Sequence, residues 1–150
     1  MNAYTKPLPV LTDANQPFWE AARREAVCVQ RCTSCEALRF PAARYCPACH
    51  EEQFEWIEVE GAGEVECFCI FHRAYFAAFE PELPYNVALV RLDAGPRLFT
   101  NIVGTPNEQL RIGMRVRAVF EKVTDDVVLL KFAEVDRDAP RPLPPSMAET

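Results

Sequence analysis

The sequence reads as mainly β: a short N-terminal helix, a four-cysteine zinc ribbon, then a small barrel of five or six strands. Three observations predict this. Two Cys-x-x-Cys pairs, Cys32/Cys35 and Cys46/Cys49, stand ten residues apart. A series of β-rich segments with turn signals between them follows the second pair. Only one stretch near the N-terminus has helical composition.

Composition bounds the answer. With 150 residues, 17.0 kDa, 49% hydrophobic and 25% charged residues, the chain has the make-up of an ordinary globular domain. By surface scaling it could bury about 69% of its unfolded surface, enough for a real core. No apolar run approaches the roughly 18 residues of a spanning helix, and the N-terminus lacks a basic start followed by an apolar stretch. The expectation is a cytoplasmic protein with no membrane role. A formal charge of −6 opposes long-range attraction to phosphate backbones, so nucleic acid is not the expected partner. Of the basic residues only Lys6, Lys122 and Lys131 are lysines; the other thirteen are arginines, which suit forked recognition of carboxylate or phosphate. High-GC codon usage produces the same bias.

The segment 1–16 is polar, carries Pro7 and Pro9, has neither helical nor strand period, and is expected to be a flexible arm. A docking helix is expected over 17–27. Its PFWEAARREA opens on Pro17, a favoured first helical residue, and carries Ala21, Ala22 and Ala26. About ten residues cannot hold a helix alone, so it must dock, with Phe18 and Trp19 as anchors on its own domain or on a partner.

The segment 28–52 is the expected zinc ribbon. Each Cys-x-x-Cys turn brings two thiolates onto one ion, and two such knuckles close a tetrahedron around structural zinc. The ligands are Cys32, Cys35, Cys46 and Cys49. Pro41 and Pro47 stiffen the two loops, and His50 is read as a solvated neighbour of the site. Seven cysteines without an export signal do not read as a disulfide framework.

The segment 53–136 is the expected barrel. Its strands are 54–60, 63–76, 86–93, 97–104, 115–123 and 127–135, with turns at Gly61–Gly63, Ala94–Gly95–Pro96 and Asp125–Asp126. Alternation puts Val116, Ala118 and Phe120 inward. In the second strand it assigns Val65, Cys67, Cys69 and Phe71 to one face and Glu64 and Glu66 to the other, making Cys67 and Cys69 buried small apolar residues. Cys28 is read the same way. A Pro-rich flexible tail, with Pro140, Pro142, Pro144 and Pro145, is expected over 137–150.

No catalytic residues are assigned. Only His50 and His72 could serve as imidazole bases, and there is no Gly-x-Ser-x-Gly, phosphate-cradling glycine loop or His-Glu-x-x-His. A four-cysteine site leaves no open position for water. What remains is the aromatic segment 72–86, with His72, Tyr75, Phe76, Phe79 and Tyr85, a place for an elongated ligand or a partner.

The order helix, ribbon, barrel, together with particular residues, resembles a known family. These residues are Pro17-Phe18-Trp19, Gln30-Arg31-Cys32, Cys46-Pro47-Ala48-Cys49, Gly61-x-Gly63, Pro84 to Val90 and Ile112-Gly113-Met114, within a match running from Pro17 to about Val135. The family is that of acyl-CoA-associated proteins with a rubredoxin-like zinc ribbon followed by an OB-fold, domain-of-unknown-function family 35. The chain departs from its pattern at Glu36-Ala37, where the family has glycine after the first knuckle, and at Ala42, where it has a second proline. The four ligands remain.

The resemblance implies a five- to six-stranded OB-fold barrel and an auxiliary subunit without turnover of its own. Its partner would be a thiolase-like enzyme, as acyltransferase or aldolase, or an enoyl-CoA-hydratase-like subunit. The OB domain would bind or channel acyl-CoA as a ligand, and zinc would be structural. CoA phosphates would take arginines, and Arg73, Arg91 and Arg97 lie nearest the aromatic segment. Arg31, Arg39 and Arg44 would offset the charge of the four thiolates. Two alternatives stand beside this reading: a single-stranded nucleic-acid-binding ribbon/OB module, and a small redox protein holding iron in the four-cysteine site.

Overall fold

Val27–Cys32 (β1) holds the two halves of the molecule together. In this computed structural model, which describes residues 4–135, β1 pairs antiparallel with Leu38–Arg39 (β2) on one side and Phe54–Val59 (β3) on the other. Its full length faces β3, from Val27 opposite Val59 to Cys32 opposite Phe54. The resulting sheet has the order β2-β1-β3, so residues 54–59 join the ribbon strand and then lead through Gly61 into the barrel. The proline-rich segment expected over 137–150 lies outside the described residues.

The helix α1 spans Gln16–Arg23, with proline in its first turn. It ends earlier than the expected 17–27. Glu25 adopts φ +58°, and the β-branched Val27 and Val29 are already extended in β1, which a continuing helix would have to give up. Phe18, Ala21 and Ala22 form its buried face. Ahead of it the arm runs without regular structure, but it is seated: Lys6 pairs with Glu82 and lies 5.5 Å from the Phe79 ring centroid.

The barrel consists of Ala62–Phe71 (β4), Tyr85–Leu92 (β5), Arg97–Thr100 (β6), Ile102–Val103 (β7), Arg115–Lys122 (β8) and Val128–Glu134 (β9). The order β6-β5-β4-β8-β9-β7 closes on itself, because β7 continues from β6 and pairs parallel with β9, Ile102 opposite Phe132. This is the expected OB barrel. The strand expected over 97–104 is broken at Asn101, whose side-chain amide donates to the Asn86 carbonyl.

One strand face differs from the expectation. Val65 lies opposite Val90 and Cys67 opposite Leu89, which leaves Glu66 as the extra residue of a β-bulge. The bulge inverts the alternation beyond it: Phe68 and Ile70 pack on the core, while Cys67 and Cys69 are exposed rather than buried. Strict period-two reading cannot anticipate this, because one inserted residue turns every later side chain over. Cys28 is buried as expected.

The core is continuous across both sheets. Val27 and Val29 of β1 belong to the same cluster as Val65, Val90, Leu98, Met114, Val116 and Phe132. Two glycines permit the close approach of β3, β4 and their neighbours. A Cβ on Gly61 would lie 2.6 Å from the Ala118 Cβ, and one on Gly63 would lie 2.4 Å from the Arg91 carbonyl oxygen. No helix among the described residues is long and apolar enough to cross a membrane.

Candidate functional site

The sequence builds the metal centre from two copies of one turn. In Cys32-Thr33-Ser34-Cys35-Glu36 the Glu36 amide donates to the Cys32 carbonyl over 2.9 Å; in Cys46-Pro47-Ala48-Cys49-His50 the His50 amide donates to the Cys46 carbonyl over 2.8 Å. β1 ends in the first knuckle, and the Cys46 amide donates to the Glu51 carbonyl in the second. The four sulfur atoms all fall within 4.8 Å of one another, with Cys32 and Cys49 Sγ at 3.5 Å and Cys35 and Cys46 Sγ at 3.6 Å. Zinc–sulfur bonds of about 2.3 Å in a tetrahedron require sulfur separations of roughly 3.8 Å. The donor set and its spacing fit zinc.

The electrostatics favour a cation at the same place. Backbone N–H groups of Cys35 and Ser34 donate to the Cys32 sulfur and hold its thiol below the ordinary range. Those of Cys49 and Ala48 do the same for Cys46, to about 6. The Glu51 N–H also favours the Cys49 thiolate, yet burial and the adjoining Cys35, Cys32 and Cys46 sulfurs push that thiol up to about 12. Sulfurs crowded this closely must share protons or a metal ion, and a divalent cation removes the conflict. His50 is exposed at φ +65° and lies outside the cluster, as expected.

The three arginines near the ribbon divide. Arg31 pairs with Glu55 and Arg44 with Glu52, so carboxylates already neutralise them. Arg39 is 6% exposed and has no carboxylate partner among the described residues. Its Nε donates to Gln30 Oε1 and its Nη2 to the Ala43 carbonyl, while the Ala43 amide donates to the same Gln30 oxygen. That closed ring fixes the loop between the knuckles to β1. In the sequence Gln30 stands out only within the Gln30-Arg31-Cys32 run; its place as a buried hydrogen-bond hub needs Arg39 and Ala43 folded beside it.

The aromatic segment gathers at the far end of β4 and β5. Phe71 and Tyr85 stack at 5.2 Å with planes 7° apart, Phe79 lies 5.6 Å from Tyr85, and Phe76 lies 6.4 Å from Phe79. Tyr75 and Phe76 are 74% and 61% exposed. His72 and Arg73 are exposed on the same loop. Arg91 and Arg97 stand on the outer face of β5 and β6, where Arg91 pairs with Glu64 and Arg97 with Glu66 at 2.7 Å. An anion there would compete with carboxylates, whereas Arg73 makes no ion pair among the described residues. Phe18 is 8% exposed, held at 5.0 Å from both Trp19 and Phe40, so it anchors α1 on its own chain; Trp19 keeps part of its surface.

Asn86 is a residue that sequence reading missed. Its side chain accepts from the Ile102 amide and donates to the Ile102 carbonyl and to Asn107 Oδ1, while Asn107 reaches the Pro84 carbonyl. It fastens the strand that follows the aromatic loop to β7. The signal was present in the Pro84-Tyr85-Asn86 run, but only the tertiary neighbour Ile102 gives it meaning.

A four-thiolate ribbon joined through a common core to an OB barrel defines a class of two-module zinc-ribbon/OB proteins. Within that class the chain matches family models described as the ChsH2 rubredoxin-like zinc ribbon domain, over residues 19–55, and the ChsH2 C-terminal OB-fold domain, over residues 56–121. It is 36% identical over 97 residues to a DUF35 domain-containing scaffold protein of Methanocaldococcus jannaschii, covering 64% of this chain and 68% of that one. The chain belongs to the DUF35 family, with the ribbon and OB domains of ChsH2. It is also 38% identical over 111 residues to a protein of Thermomonospora curvata named probable enoyl-CoA hydratase alpha subunit; the match covers 74% of this chain and 34% of that longer protein. Among solved structures, a chain of the Ltp2-ChsH2(DUF35) aldolase superposes with a TM-score of 0.76 at 34% identity, covering 85% of this chain and 98% of that one.

Proposed function

We propose that this chain is an auxiliary subunit of an acyl-CoA-processing complex, with a thiolase-like acyltransferase or aldolase, or an enoyl-CoA-hydratase-like enzyme, as its partner. The observation that carries this reading is the match over nearly the whole of a chain of the Ltp2-ChsH2(DUF35) aldolase, supported by relatives named as scaffold proteins and as a hydratase subunit. Cys32, Cys35, Cys46 and Cys49 hold a structural zinc that fixes the ribbon on β1. The chain contributes no catalytic residue of its own.

The OB domain contributes a surface for the CoA thioester. An extended pantetheine arm suits the aromatic cluster of exposed Phe76 with half-buried Phe79 and Tyr85, and Arg73 with His72 offers the accessible polar end. Arg91 and Arg97 act there only if Glu64 and Glu66 release them.

Mild affinity purification of the full chain from its own cells, followed by assay of the complex and its separated parts on CoA thioesters, tests the reading. The expected result is a stoichiometric thiolase-like or hydratase-like enzyme whose activity requires this subunit. An enzyme fully active alone, or a chain that purifies without one, overturns it.

A further inference from the structure

The bulge at Glu66 does more than re-aim two cysteines. Residues directly opposite in an antiparallel ladder share a face, so the register groups Cys67 with Leu89 and Phe99, Cys69 with Val87, and Phe71 with Tyr85 on the outside of β4, β5 and β6. Cys67 and Cys69 are exposed, Val87 and Leu89 half-buried, and Phe99 is 75% exposed. An antiparallel sheet normally turns polar residues to water; this one turns sulfur, aliphatic and aromatic groups. We infer that the outer face of β4–β5–β6, centred on Cys67, Cys69, Leu89 and Phe99, is the docking surface for the apolar surface of the partner enzyme subunit.

Charge and area choose that occupant. The charged groups on the face are paired within it, Glu64 with Arg91 and Glu66 with Arg97, so it presents no net charge to recruit a polyanion. Three strands about 4.8 Å apart, over the eight residues from Glu64 to Phe71 at roughly 3.3 Å each, make a face of at most about 380 Å². Two copies meeting there would bury roughly 760 Å² in total, against about 1,200–2,000 Å² in a stable specific interface. A larger partner can extend the contact past Phe71 onto Tyr75, which is continuous with the face through the Phe71–Tyr75 contact, and leave Phe76 to the CoA thioester. The pantetheine surface would then border the joint between the subunits. This inference rests on the subunit reading above.

The two thiols test it directly. The free chain and the complex purified from its own cells are treated with iodoacetamide, and alkylation at Cys67 and Cys69 is followed by mass spectrometry. Protection of at least tenfold in the complex is the expected result, with Phe99→Asp and Cys69→Arg each weakening partner binding at least tenfold at unchanged zinc content and circular dichroism. Val10→Asp, on the exposed arm, serves as control and should leave binding unchanged. Equal alkylation in a complex that is intact and active overturns the docking face while leaving the subunit reading standing. A chain that purifies without an enzyme overturns both. A homodimer by sedimentation, with both thiols protected in the pure chain, overturns the assignment in favour of a second copy.

Discussion

Glu36 and His50 occupy the same place one residue beyond their knuckles, and both are held in the left-handed region, at φ +61° and +65°. The amide of each donates to the carbonyl of the first cysteine of its own turn. The ribbon is thus built from two near-equivalent halves, and each half contains a non-glycine residue in a conformation that glycine adopts without strain.

Replacing Glu36 by glycine is expected to stabilise the zinc-loaded chain. The left-handed conformation costs a non-glycine residue about 1–2 kcal/mol, and the freer unfolded chain offsets about 0.5–1 kcal/mol of the gain. A rise in Tm with unchanged zinc stoichiometry is the expected result, and His50→Gly should behave alike. A fall in Tm for both would show that their side chains contribute more than the backbone strain costs.

Metal removal should act on the ribbon first. Cys46→Ser removes a sulfur held by the backbone N–H groups of Cys49 and Ala48, and is expected to lose bound zinc and disorder residues 28–52. Elemental analysis with amide hydrogen exchange checks this. Exchange should rise in β1 and β2 while the central barrel strands β5 and β8 stay protected. A full equivalent of tightly bound zinc in the variant would contradict the assigned ligand set.

Gly63→Ala should be costly although the residue has no unusual φ. Its new methyl would stand 2.4 Å from the Arg91 carbonyl oxygen, a backbone atom that cannot turn aside. Overpacking of this kind costs about 1–3 kcal/mol, and a shift of the urea midpoint measures it. Gly95→Ala meets no neighbouring atom within 4 Å and is limited to the strain of φ +116°.

Asn86→Ala leaves the buried Ile102 amide and carbonyl without their side-chain partner. An unsatisfied buried polar group costs about 1–3 kcal/mol, so the expected loss is a few kcal/mol. Equilibrium unfolding should show it, together with faster hydrogen exchange at Ile102.

Thiol chemistry separates the seven cysteines into classes. In the native zinc-loaded chain Cys67 and Cys69 should react with a thiol reagent, Cys32, Cys35, Cys46 and Cys49 only after chelation, and buried Cys28 only on unfolding. Slow reaction of Cys67 and Cys69 in the free monomer would contradict the exposed face that the bulge creates.

The metal centre was legible because its chemistry is local. A Cys-x-x-Cys turn is complete within five residues, and two of them specify a tetrahedron wherever the chain carries them. The short helix, the strand segments along the chain and the inward set of β8 were legible for a similar reason, since hydrophobic period and turn residues report on neighbours in sequence. The aromatic segment was visible as composition, and the family likeness supplied the OB barrel and the accessory role.

What the tertiary structure decided concerns partners far apart in the chain. Residues 54–59 carry no local mark that they pair with β1, Asn86 gains its role from Ile102, and the ring of Gln30, Arg39 and Ala43 exists only once the ribbon closes. Cys67 and Cys69 show the limit most clearly. Alternation placed them inside, and one unpaired residue, Glu66, placed them outside. The sequence by itself determined a four-thiolate ribbon ahead of a β-rich barrel, because covalent spacing and short-range periodicity suffice for that. Which face of the barrel meets water was decided by strand register, a property of two strands together that neither strand encodes alone.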